Sequence, residues 1–172
     1  MSEFNLDRFL KMPEGVTATA FLIIFPRIKG LGDSMAERHL AIESLEEAGA
    51  YLKHEKLGNG LIEVTNMLLK VPTNDISKVI TAEDASIIHA SMTLFSQVEN
   101  APDCFQEMLD RFFEGLSDKR TLDIIRDMEF EAMSEKYGVK PENMIKLDIV
   151  FDPTRSVDEQ AEEAINYILS NI

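Results

Sequence analysis

The chain has 172 residues, a formal net charge of −14 and one cysteine, with 45% hydrophobic and 28% charged residues. That balance predicts one globular domain, or one domain with an appendage, able to bury a core without staples. A lone Cys104 excludes an intramolecular disulfide. An acidic chain with no run of Lys or Arg, and no basic patch with interleaved aromatics, argues against nucleic acid and anionic membranes as partners.

No basic, apolar, small-residue leader opens the sequence, and the longest apolar run, residues 20–25, is far too short to cross a bilayer. The expectation is a soluble cytoplasmic protein with a solvated acidic surface.

In chain order, Phe4, Leu6, Phe9 and Leu10 approximate helical spacing and predict a short first helix ending near Pro13 and Gly15. Residues 18–25 are apolar and partly β-branched, and periodicity does not separate a buried strand from a buried helix there. Pro26 disfavours helical geometry at Phe25, and Gly30 and Gly32 allow a tight loop. Residues 35–42 read as a short helix. Ser44 and Glu47 have capping-box spacing ahead of a helix to His54, with Leu45, Ala48, Tyr51 and Leu52 on one face. Gly58 and Gly60 read as punctuation before a helix bearing Leu61, Val64, Leu68 and Val71, which Pro72 ends.

Residues 75–80 predict a helical turn. Thr81 is placed to cap a helix that points Ala85, Ile88, Met92 and Phe95 inward. Asp103 opens another, with Gln106 at the capping-box position, a buried stripe of Phe105, Leu109 and Phe112, and Gly115 at its end. Ser117 begins a helix carrying Leu122, Ile125 and Met128.

The tail reads differently. Residues 130–137 look helical and stop at Gly138, and residues 144–151 partly alternate, with Ile145, Leu147, Ile149 and Phe151 on one side. Ser156 is placed to cap a last helix through Ile165, Ile168 and Leu169. A lone strand needs a partner, either residues 18–25 or another chain. The expected fold is therefore mainly α: a compact multi-helix domain, residues 1–128, followed by a small helix-strand-helix α/β appendage, residues 129–172. The appendage carries ten acidic and four basic side chains. No internal repeat or low-complexity stretch interrupts this pattern.

Several short blocks recur in a known order. They are Phe25-Pro26 with Gly30-Leu31-Gly32 and Ser34; Ala41-Ile42; Ser44, Glu47-Ala48, Ala50-Tyr51-Leu52 and His54; Leu57-Gly58; Ser91-Met92-Thr93-Leu94-Phe95; and Arg120-Thr121-Leu122. Over residues 3–126 this order resembles a bacterial family known as domain of unknown function 1810. The resemblance implies a mainly helical domain and no established activity. It also marks departures. The family pattern places His-Trp-x-Trp ahead of its Phe-Pro, where this chain has Thr19-Ala20-Phe21-Leu22, and Gln after the proline, where it has Arg27. Ahead of the Ser-Met-Thr-Leu-Phe block the family places Lys and Arg, and this chain has Ile87 and His89. Cores tolerate apolar exchange of similar volume, whereas chemistry needs particular groups. The resemblance thus implies a kept fold and a site lost or remade.

The candidate site residues are Arg27, Gly30, Gly32, Ser34, His89 and Ser91. Residues 30–34 precede a helix and could present amides to an anion, with Arg27 and Lys29 adding charge, but Asp33 and Glu37 oppose a phosphate and a loop that only turns the chain is favoured. His89 is favoured as a satisfied histidine at a helix interface over a ligand. His54 is expected to cap a helix C-terminus, and His39 is the third histidine. Ser91 and Thr93 are expected to bond backbone carbonyls. Cys104 is favoured as a buried structural cysteine over a nucleophile, because Asp103 opposes a thiolate. Without H-x-x-x-H or C-x-x-C spacing, no metal and no cofactor are expected.

The favoured function is a non-enzymatic binding or protein-interaction module, acting through the acidic tail or the former pocket, with a protein partner or as a homo-oligomer. The alternative is a small-molecule or nucleotide-processing enzyme, its pocket formed by Arg27, the loop of residues 30–34, His89 and Ser91.

Overall fold

The computed structural model describes residues 4–138 and 152–170, and the protein is mainly helical. Eight α-helices lie in the described residues: α1 (Ala20–Ile24), α2 (Met35–His39), α3 (Leu45–Lys53), α4 (Glu55–Leu68), α5 (Ala82–Ser96), α6 (Cys104–Phe112), α7 (Lys119–Tyr137) and α8 (Val157–Ser170). Two 3₁₀ turns, Leu6–Phe9 and Ile76–Lys78, accompany them. Among the described residues the one isolated β-bridge is a parallel contact between Ile28 and Ile42. No helix among them is long and apolar enough to cross a membrane. The chain divides into two compact units, Met1–Glu129 and Phe130–Ile172.

In the first unit α5 is the central element. Its sequence from Ile87 to Phe95 is apolar or small all round, and every residue there except His89 is buried. A helix of that kind must be surrounded, and α5 packs against α6, α3, α1 and the Ile76–Lys78 turn. Ile88, Met92 and Phe95 point inward as their spacing predicts, all fully buried, whereas Ala85 is half-buried. Phe95 meets Tyr51 at 5.5 Å and Phe105 at 5.7 Å between ring centroids, and Tyr51 meets Phe9 edge-on at 5.1 Å. The α6 stripe of Phe105, Leu109 and Phe112 is buried, and the Gly115 amide closes that helix by donating to the Leu109 carbonyl at 2.9 Å.

Residues 18–25, ambiguous in sequence, contain the helix α1, capped by Thr19. The strand expected at 144–151 lies outside the described residues. The helix expected at 35–42 stops at His39, because Ile42 is drawn into the bridge with Ile28: its amide donates to the Arg27 carbonyl at 2.8 Å. The two segments expected from Ser117 and at 130–137 are one continuous helix, α7. Asp118, not Ser117, caps it, its carboxylate accepting from the Thr121 amide at 3.3 Å and the Thr121 hydroxyl at 2.6 Å. Asp103 makes no capping hydrogen bond, and Gln106 donates instead to Asp110 at 3.0 Å. In the second unit the side chain of buried Gln160 accepts from the Asp152 amide at 2.8 Å and donates to its carbonyl at 2.9 Å, and Arg155 pairs with Glu163 at 2.7 Å.

Two arginines fasten the first unit across long sequence separations. Arg8 pairs with Glu47, which is 2% exposed, and donates to the Ala41 carbonyl at 2.8 Å while its guanidinium lies over the Phe9 ring. Glu47 therefore does not complete the box expected with Ser44: Ser44 Oγ accepts from the Glu47 amide at 3.1 Å, but the Glu47 carboxylate turns to Arg8 and to the Glu43 amide. Arg111 gathers the end of α4, donating to the carbonyls of Leu69, Val71 and Thr73 and to the Asn74 side chain. Those carbonyls follow the last turn of α4 and have no helical partner ahead of them.

Gly58 and Gly60 lie inside α4 rather than before it. His54 ends α3 and starts α4 at once, its Nδ1 accepting from the Leu57 amide at 3.2 Å. This caps a helix N-terminus, not the C-terminus expected. The immediate reversal brings the two backbones together at Gly58, where any Cβ would collide with the Leu52 carbonyl. Gly58→Ala is therefore expected to cost about 2 kcal/mol or more, and Gly60→Ala, which meets nothing, to stabilise by about 0.5–1 kcal/mol. Urea denaturation checks both; equal effects at the two positions would contradict the close approach.

Candidate functional site

Of the six candidate residues, Arg27, Gly32 and Ser34 meet around one carboxylate, that of Glu37, and Gly30 lines the cavity beside it. The Ile28–Ile42 bridge, completed by the Lys29 amide donating to the Ile42 carbonyl at 2.8 Å, fixes the loop of residues 26–34 beside α2. Arg27 donates to one oxygen of Glu37 at 2.8 Å. The other oxygen accepts from the Ser34 amide at 3.0 Å, and the Glu37 amide donates to Ser34 Oγ at 3.1 Å, a complete capping box. A Cβ at Gly32 would fall on the Glu37 side chain, so glycine is what lets that carboxylate fold back. Gly30 turns the loop with φ +108°. The hydrogen bonds from Ser34, then the Arg27 guanidinium, hold the Glu37 carboxyl below its ordinary range against a smaller opposing effect of burial. What remains beside Arg27, Gly30, Gly32 and Arg38 is a cavity of about 30 Å³, room for about one water and no metabolite.

The other two candidates do not line this cavity. His89 bonds through Nε2 to the Leu116 carbonyl at 2.7 Å and stacks on Phe113 with ring centroids 4.3 Å apart. Thr93 bonds the His89 carbonyl at 2.8 Å, as expected, but Ser91 departs from the same expectation: its fully buried hydroxyl has no partner among the described residues. His39 joins the Arg8 region, its Nε2 bonding the carbonyls of Arg8 at 2.6 Å and Lys11 at 3.0 Å. Cys104 is a free, buried cysteine, and burial, with the Glu107 charge, pushes its thiol up. Among the described residues no three His, Cys or carboxylate side chains converge as metal ligands.

The larger concavity is one that sequence reasoning did not single out. A groove of about 640 Å³ is framed by α3, Ile62 of α4 and the connection of residues 98–102 between α5 and α6. Leu45, Leu52, Val98 and Pro102 supply apolar walls, and Glu46, Lys53, Glu99 and Asn100 the polar groups. Glu46, Gly49, Ala50 and Lys53 follow the i, i+3, i+4, i+7 spacing of one helix face, and that spacing was the available signal. Gly49 leaves the space open: a Cβ there would reach only ordinary contact with Val98, at 3.6 Å. Asn100 turns the chain at the rim with φ +61°, a conformation asparagine tolerates.

The sequence profile of a family described as a protein of unknown function, DUF1810, matches residues 5–125. The chain belongs to that family. It is also similar to the crystal structure of the conserved hypothetical protein Rv1873 from Mycobacterium tuberculosis, with 32% identity and a TM-score of 0.61, covering 64% of this chain and 79% of that one. Among curated proteins none matches. The loop around Glu37, α5 and the groove all fall within the matched residues, whereas α8 lies beyond them.

A depressed carboxyl contributes stability above its unfolded value and loses it as pH falls through its folded value. Glu37→Gln is therefore expected to cost about 1 kcal/mol at neutral pH and to flatten the acid side of the stability curve, read from urea midpoints between neutral and acidic pH. Buried Cys104 is expected to react with a thiol reagent only on unfolding; fast labelling of the folded protein at neutral pH would contradict its placement.

Proposed function

We propose that this protein is a non-enzymatic binding module whose family site has been remade into scaffold, with recognition moved to the groove between α3 and the α5–α6 connection. The observation that carries this reading is the size of the groove, about 640 Å³ against about 30 Å³ beside Arg27. Volumes of about 300–1,000 Å³ suit small ligands or an inserted side-chain cluster.

The positions at which the chain departs from the family pattern support the remaking. Thr19 caps α1, Phe21 stacks on Phe25, Arg27 holds Glu37, Ile87 is buried in the core and His89 is fixed against Phe113 and Leu116. Each of these five side chains has a structural partner or a place in the core.

One observation favours the alternative enzyme reading: Arg27, Lys29 and Arg38 line the small cavity with Glu37, a net positive cluster in an otherwise acidic chain. A thermal-shift screen of metabolites, nucleotides and short peptides separates the two. Stabilising compounds that act on the native chain and on Arg27→Ala, but not on the groove-filling Gly49→Phe, are the expected result. A nucleotide whose stabilisation vanishes in Arg27→Ala and survives in Gly49→Phe would favour the enzyme reading instead.

A further inference from the structure

The groove is acidic as well as apolar, and from this we infer the class of its ligand: a small organic amine, protonated at neutral pH, with an apolar body. The inference rests on the binding-module reading and adds the chemistry to it. Glu46 and Glu99 bring two carboxylates to the rim against the single ammonium of Lys53. Among the described residues none of the three belongs to an ion pair. Their charges are therefore available to a ligand rather than committed to the fold.

The backbone adds to the same sign. α5 ends at Ser96, immediately before the residues that form the groove wall, so the negative end of its dipole lies at that wall. α6 starts at Cys104 just beyond Pro102 with the opposite pole, but Asp103 stands at that end with its carboxylate uncommitted to a cap. An anionic ligand would meet Glu46, Glu99 and the end of α5, with Lys53 and the start of α6 in its favour. A cation meets attraction from both carboxylates and the end of α5, and an apolar body fills the space that Gly49 leaves between Leu45, Leu52 and Val98. The net charge of −14 draws cations toward the surface as a whole, at a distance set by salt.

The test compares three probes with one body and different charge: 2-phenylethylamine, 2-phenylethanol and 3-phenylpropanoate, titrated into the ¹⁵N-labelled full chain. The amine is expected to shift the amides of residues 45–53 and 98–101 and to leave those of residues 27–37 unmoved. Glu46→Gln and Glu99→Gln are each expected to weaken it about 3- to 10-fold, and added salt to weaken it further. Gly49→Phe should abolish it, while Gly49→Ala, which fits without strain, retains the fold as a control. If the alcohol or the carboxylate moves the same amides at equal or lower concentration, the amine class is wrong although the groove binds. If none of the three moves them while another compound from the screen does, the class again fails and the binding module stands. If nothing of any charge reaches these amides, both readings fall together.

Discussion

The burial of the Ile87–Phe95 stretch of α5, on every side but that of His89, is the constraint on which the rest of the first unit depends. Such a stretch leaves its polar side chains only internal solutions, because an unpaired buried hydroxyl costs about 1–3 kcal/mol. Thr93 finds two: its hydroxyl donates to the His89 carbonyl and accepts from the Asp118 amide at 2.8 Å, which ties the start of α7 to the centre of the core. His89, at the margin of the buried stretch, reaches the Leu116 carbonyl in the same connection. Ser91 finds none among the described residues, a cost offset by neighbours such as Ile88, Met92 and Phe95, each contributing about 1.5–3 kcal/mol through burial.

Because the helices around α5 are short, their ends are numerous, and much of the polar chemistry of this chain is consumed in closing them. Arg111 serves the end of α4, His54 its beginning, Ser34 and Glu37 the beginning of α2, and Asp118 that of α7. Residues that in isolation suggest a reactive set, a histidine here and an arginine beside glycines there, are the ones such a scaffold recruits. The depressed Glu37 carboxyl illustrates the ambiguity: a perturbed acid beside an arginine is a signature of active sites, and of capping boxes with an added ion pair.

The stripes on α5 and α6 were legible because burial follows helical period, and the family blocks gave the fold class. What was not legible is instructive. Ser34-Met35-Ala36-Glu37 and Ser44-Leu45-Glu46-Glu47 are the same capping pattern, yet only the first closes, since Arg8 captures the second glutamate from 39 positions away. No local pattern announces that competitor. Gly58 reads in sequence as a break because glycine usually is one; its reason is the proximity of the Leu52 carbonyl, a property of the α3–α4 reversal and not of the segment around it. The groove was invisible for a related cause. Half of its wall is a helix face and half a turn nearly fifty residues later, and each half alone reads as ordinary surface.

Charge connects these observations. The chain has 17 basic and 31 acidic side chains, and three of its arginines are partly buried: Arg8 held by Glu47, Arg27 by Glu37 and Arg111 by backbone carbonyls, while Arg155, Lys119 and Arg126 pair with acids at the surface. A fold that draws arginines inward in this way leaves carboxylates in excess as the outward charge. The groove beside α3 is where that surplus coincides with apolar walls and a volume of about 640 Å³, which is why the proposed binding site and the scaffold's use of its charges share one physical cause.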